Sequence, residues 1–416
     1  MSLRPLLDSR SVILCVGSGG VGKTTTTAAL GLAAAVSGKR VLCLTIDPAK
    51  RLANSLGLAA MSGEAQTIDK ARFAEAGLDV KGSLTVMMLD TKRTFDELVH
   101  RYASSAAARD RILHNKLYQY VSTSLAGTHE YMAMEKLHAV RATGEYDLVL
   151  LDTPPTANAL DFLDAPERLV DALDSAAMRW FLQAFAESGK LSLNLLAKSA
   201  ALVLKGIGRL TGGGFLEQVA SFVTELNDLF GGFKERAREV AAALRAKDVA
   251  YVLVTSPSPM AIQEVLFFAA RLREQGMPQD AFVVNRVHLA PRVRATEDDA
   301  RAAIARLAIT LDEDAPTRLS AALADEERQA RVDAGHLARL TEALAVARPK
   351  PLRVDVPALA YDVHDVKTLA EVARVLAPLA VRNRSRALHG DGRAPPRPPH
   401  GRARRRRRAA RLHARA

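Results

Sequence analysis

Residues 17–25 read Gly-Ser-Gly-Gly-Val-Gly-Lys-Thr-Thr, and the fold turns on how this stretch is read. It follows the continuous apolar run Val12–Val16 and precedes Thr25–Ser37, an Ala- and Leu-rich stretch of helical character. A strand, a glycine turn and a helix in that order satisfy the phosphate-loop pattern GxxxxGK[ST] through Gly17, Gly22, Lys23 and Thr24. Glycines let backbone N–H groups turn inward around phosphate oxygens, and a helix N-terminus adds a favourable dipole. The cradle would run through Gly19, Gly20, Val21, Gly22 and on to Thr25. Lys23 would bridge β- and γ-phosphates, and the Thr24 hydroxyl would ligate Mg²⁺. The same glycines also fit the dinucleotide turn GxGxxG, through Gly17, Gly19 and Gly22, with Asp47 following strand two where a ribose-binding acid belongs. Lys23-Thr24 decides against that alternative, because such a turn has no use for a lysine and a hydroxyl there. Asp152, ending the apolar run Leu148–Leu151, adds the second carboxylate expected beside a phosphate-bound metal.

Outward from the loop, short apolar runs alternate with helical patterns. Strands are expected at Val12–Val16, Val41–Ile46, Leu84–Leu89, Leu148–Leu151, Val249–Thr255 and Ala281–Val287. Their nearly continuous apolar character suits a parallel sheet covered on both faces. With helices such as Thr25–Ser37 and Met260–Gln275 between them, the expected class is α/β: a doubly wound, mainly parallel sheet of phosphate-loop NTPase type. Residues 1–381 would form the ATPase domain. The connection from Leu163 to Asp248 is too long for a plain crossover of roughly 30 residues, so a helical insertion is expected at about 164–247. Within it Phe215, Val219, Phe222, Leu226, Leu229 and Phe230 fall at helical spacing. That stripe either packs on the body or faces an apolar partner.

Charge sorts the 416 residues into two parts. Residues 382–416 hold 13 Arg and one acid, so they carry the entire net charge of +12, while the rest balances 45 basic against 45 acidic residues. The tail also holds Pro395, Pro396, Pro398 and Pro399 and almost no aliphatic residue, so disorder is expected there. Any nucleic-acid contact would run through this basic tail. No apolar run reaches the roughly 18–20 residues that span a bilayer, and no cleavable leader is read at the N-terminus. Cys15 and Cys43 both sit in apolar strand-like runs and read as buried thiols of a reducing, cytoplasmic compartment.

The base can be argued too. Guanine-specific enzymes use an acid after an Asn-Lys pair, whereas the last strand here ends Val284-Asn285-Arg286-Val287-His288. Asn285 offers both a donor and an acceptor to adenine, which favours ATP.

Taken together, the motifs resemble the arsenical pump-driving ATPase family, which includes ATPases that guide tail-anchored membrane proteins. They are residues 17–25, Thr45-Ile46-Asp47-Pro48-Ala49, Asp152 through Asn158, Phe162-Leu163, Val284-Asn285-Arg286, and Val356-Pro357 leading to Asp362-Val363-His364-Asp365. The resemblance implies that Asp47 orients the attacking water, that Asp152 holds Mg²⁺ through water, and that the run after it is a switch. It further implies that Asn285 and the segment around Pro357 contact adenine, that the chain is a homodimer, and that the insertion builds a surface for a protein client or membrane partner. Three departures stand out. Ser18 occupies the place of a signature lysine that reaches across the dimer, which puts that contact in doubt and leaves Lys50 or Arg51, beside Asp47, as candidate substitutes. Two cysteines supply neither a bridging zinc pair nor a thiolate triad for arsenite. Asn158 and Ala159 replace the His and Thr of client-binding members. The leading expectation is an Mg²⁺-dependent ATPase handling a partner through dimer rearrangement; the alternative is an ATP-gated switch that positions cargo on DNA or membrane.

Overall fold

The computed structural model describes residues 2–46, 51–58, 61–115, 118–119, 122, 128–154, 164–165, 167–168, 171, 235–291, 296–307 and 310–379. Asp47, the run 155–163, most of the insertion and the tail lie outside the described residues.

Eight strands form one sheet in the order β3-β4-β2-β5-β1-β6-β7-β8. They are β1 Val12–Gly17, β2 Arg40–Thr45, β3 Gln66–Thr67, β4 Ser83–Met88, β5 Leu148–Asp152, β6 Val249–Thr255, β7 Ala281–Val287 and β8 Leu352–Pro357. Every pairing is parallel except the short edge pair β3–β4. The six expected strands are all present, two with unchanged bounds. The two edge strands were not expected: β3 has only two exposed residues, and β8 alternates apolar with charged.

Burial explains why the central strands read as unbroken apolar runs. All six residues of β1 are buried, and so are all seven of β6. Ile13 and Cys15 pack on one face beneath the helices Lys23–Val36 and Val366–Leu376. Val12, Leu14 and Val16 pack on the other, beneath Thr128–Thr143, Pro259–Glu274 and Ala315–Val346. Both faces are therefore core, the condition that removes polar alternation from a strand. Leu30 and Leu32 are fully buried; shortening either to Ala would cost about 2–5 kcal/mol, mostly through the cavity left behind.

Among the described residues, the long connection after β4 includes the helices Thr91–Tyr102, Ala106–His114 and Thr128–Thr143. Asp90 and Ser105 cap the first two by accepting from Arg93 N and Ala108 N. Because β1 lies between β5 and β6 and β2 on the far side of β5, the winding direction reverses beside β1. A crevice opens there at the C-terminal strand ends, where doubly wound sheets bind ligands.

Candidate nucleotide site

The turn between β1 and the helix Lys23–Val36 is shaped by two glycines with different reasons to be glycine. Gly20 has φ +77° with open space around it, so its backbone conformation alone excludes a side chain. Gly22 has φ +96°, and a Cβ there would lie 2.2 Å from Asn285 Nδ2. Gly22 also precedes the helix as its N-cap, with no side chain capping it. Gly22 thus brings no side-chain cap to the first-turn N–H groups, and Lys23, Thr24 and Thr25 line the crevice; a helix N-terminus in such a place suits anion binding.

Asn285 is brought to this turn by a distortion in β7. Its register with β8 shifts between Val284 and Val287, and Arg286 takes φ +61° as the non-glycine residue of positive φ among the described residues. Such a bulge re-aims side chains. Here Asn285 Nδ2 donates to Val21 O at 2.9 Å, and Arg286 Nη1 donates to Gly20 O at 3.4 Å.

At the phosphate end, Lys23 is buried and its Nζ donates to Ser18 O at 2.8 Å. The Thr24 hydroxyl donates to Asp152 Oδ2 at 2.7 Å, and Thr45 Oγ1 reaches the same oxygen at 3.2 Å. Asp152 ends β5 and is 1% exposed. A hydroxyl held on a buried carboxylate across two elements is the oxygen donor set that a hard divalent cation takes. Among the described residues no cluster of three His, Cys, Asp or Glu side chains exists to hold a metal by itself. The donor chemistry therefore fits Mg²⁺ held jointly with phosphate.

A cavity of about 520 Å³ runs from this end to the loop after β8. Gly20, Gly22, Lys23, Thr24 and Thr25 line it, with Asn285 against the loop and Pro357, Leu359, Tyr361 and Asp362 from the segment after β8. Of the expected site residues, Gly19 is exposed outside the lining, whereas Val21 is buried and contributes its carbonyl. Thr45, Arg286 and His288 were not assigned roles from sequence. Thr45 could have been found as the hydroxyl two residues before Asp47; the contacts of the other two join distant segments.

Ser18, a neutral residue, is buried within the loop and accepts from Lys23 through its carbonyl. Arg51 lines the cavity and is exposed, while Lys50 lies outside the described residues. Burial pushes the Cys15 thiol up to about 12 and raises Cys43 in the same direction. Both remain protonated and unreactive, as expected of core cysteines. No helix among the described residues is long and apolar enough to cross a membrane.

Comparison with known proteins converges on the same region. The model of the anion-transporting ATPase family matches residues 10–302. ATPase GET3 of Malassezia globosa is 28% identical over 176 residues, 41% of this chain and 48% of that protein. The putative arsenical pump-driving ATPase 1 of Aquifex aeolicus is 24% identical over 284 residues, 66% of this chain and 63% of that one. ATPase GET3 of Paracoccidioides lutzii is 26% identical over 290 residues, 69% of this chain and 76% of that protein. The chain thus spans about half the length of the first of these relatives and less than two thirds of the second.

Proposed function

The chain belongs to the anion-transporting ATPase family, and from that membership we propose that it is an Mg²⁺-dependent ATP hydrolase. The observation that carries the reading is the Thr24–Asp152 contact at 2.7 Å beside a buried lysine and an uncapped helix N-terminus. In this reading ATP lies along the cavity, with its phosphates on the backbone of Gly19–Gly22 and on Thr25, and its adenine between Asn285 and Pro357. Lys23 exchanges the Ser18 carbonyl for phosphate oxygens, a favourable exchange because a phosphate carries full charge. Mg²⁺, held by Thr24 and through water by Asp152, supplies positive charge to the phosphate oxygens. Asp47 orients the attacking water. Phosphoryl transfer needs mainly positioning and charge, and these residues supply both.

Partner handling is the finer part of the proposal. Residues 1–381 act as the ATPase domain, the insertion at about 164–247 meets a protein client or membrane partner, and ATP drives rearrangement of a homodimer in the cytoplasm. Ser18 implies that any charge crossing that dimer comes from Arg51 or Lys50. No reported relative is named for nucleic acid, and the DNA-positioning alternative has no further support.

The test is Asp47→Asn. Phosphate release should fall by about two orders of magnitude or more, while ATP binding, followed by equilibrium titration, persists. Hydrolysis at the wild-type rate would overturn the role of Asp47. Failure of the wild-type protein to bind or hydrolyse ATP would overturn the function.

A further inference from the structure

His288 stands at the end of β7, three residues beyond Asn285, and lines the cavity. Its ring is held by a residue far away in sequence. Asp333, on the helix Ala315–Val346, is 3% exposed and accepts at Oδ2 from both His288 N and His288 Nδ1, each at 2.9 Å. Gln329 Nε2 donates to the other oxygen, Oδ1, at 3.1 Å. Burial alone would raise the carboxyl's pKa, but the hydrogen bonds from the backbone and ring of His288 and from Gln329 outweigh it and hold Asp333 below its ordinary range. Asp333 is thus an ionised acceptor. An acceptor-only partner requires the hydrogen of the neutral imidazole to sit on Nδ1, which leaves Nε2 with a lone pair.

We infer that His288 is a nucleotide-contacting residue: its Nε2 accepts a hydrogen bond from a neutral donor on the nucleoside half of ATP, and Asp333 is the positioning residue that sets its tautomer. This rests on the ATP-binding reading above. The phosphates are assigned to the loop at 19–25, so the cavity wall containing His288, Asn285 and Pro357 meets ribose and base. Two donors there have the right chemistry, a ribose hydroxyl and the exocyclic amine of adenine. A ring anchored at both its backbone and its side chain has little freedom left at the cavity wall.

The test is a set of equilibrium affinities measured on the full chain with Mg²⁺ and four nucleotides: ATP, 2′-deoxy-ATP, 3′-deoxy-ATP and purine riboside triphosphate, which lacks the amine. His288→Phe preserves ring shape and removes the acceptor. It should weaken ATP binding about three- to tenfold, the range of one net hydrogen bond. For whichever analogue lacks the partnered donor, the wild-type protein should already bind more weakly, and His288→Phe should bring no further loss. That pattern names the donor. His288→Gln, which returns an acceptor, should recover part of the ATP affinity. Asp333→Ala should weaken ATP binding, and its loss should not add to that of His288→Phe, because one acts through the other. Equal ATP affinity in His288→Phe and wild type would overturn the inference, as would the same fractional loss for all four nucleotides. A wild-type chain that binds none of them overturns the ATP reading itself, a separately visible result.

Discussion

The two ends of the sheet place their polar groups differently. At the N-terminal strand ends, opposite charges close on each other: Arg40 with Asp147 at 2.7 Å, Arg141 with Asp248 at 2.7 Å, and Arg10 with Asp280 at 2.9 Å. Each carboxylate immediately precedes a strand and ties its start to another segment. At the C-terminal ends, the buried Lys23 sits on a backbone carbonyl and the buried Asp152 on two hydroxyls. A hydrogen bond from an ammonium to a phosphate oxygen is stronger than one to a carbonyl, so a phosphate can take the place of the Ser18 carbonyl on Lys23. The ion pairs at the strand starts hold the scaffold, whereas Lys23 and Thr24 at the strand ends line the cavity a ligand would enter.

Substitutions can break that contrast. The largest effect is expected from Lys23→Ala, which should lower steady-state phosphate release by about 10²–10³-fold, the loss typical of one transition-state charge contact, with the unfolding midpoint nearly unchanged. A change of similar size in stability but not in chemistry would erase the distinction between the ends. Glu135→Ala should do the reverse. Glu135 is 2% exposed and accepts from Arg236 Nε and Nη2 at 2.9–3.0 Å, pinning the helix Thr128–Thr143 to helical residues 235–244. Leaving Arg236 without this partner should cost about 3 kcal/mol in denaturant unfolding.

Smaller effects sharpen the picture. Gly22→Ala should cost about 1–2 kcal/mol for its backbone conformation alone, and more for the collision with Asn285; a calorimetric midpoint would read it. Gly20→Ala, with open space around it, should lose only the backbone part. The smallest expected effect is Asp147→Asn. Hydrogen bonds from Arg40 hold the Asp147 carboxyl down to about 2. Because the folded pKa lies below the unfolded one, the stabilisation is present above roughly pH 4 and disappears as pH falls through about 2. Both groups are substantially exposed, so the loss in thermal midpoint should be slight and shrink further in salt.

Much of the fold was legible because its signals are local. An unbroken apolar run such as Val249–Thr255 reports burial on both faces, and glycines followed by Lys23-Thr24 report a phosphate turn. β8 escaped notice because Arg353 and Asp355 interrupt it and pair with each other on its exposed side. Asn285 was assigned to adenine as a donor and acceptor, but its bond to Val21 O shows a second task, bracing the loop. Nothing near residue 288 announces a partner 45 positions away.

The sequence by itself determined the alternation of strands and helices, the glycine turn before Lys23-Thr24, the candidate metal-side residues Thr24 and Asp152, and the placement of net charge in residues 382–416. Each depends on residue type over a short span, where backbone sterics and burial act within one element. Only the tertiary structure decided that Gly22 must yield to Asn285, that Ser18 is buried within the loop, and that His288 is locked by Asp333. These are contacts between segments that the chain brings together only after the sheet has formed, and their geometry follows from register and bulge rather than from any spacing along the chain.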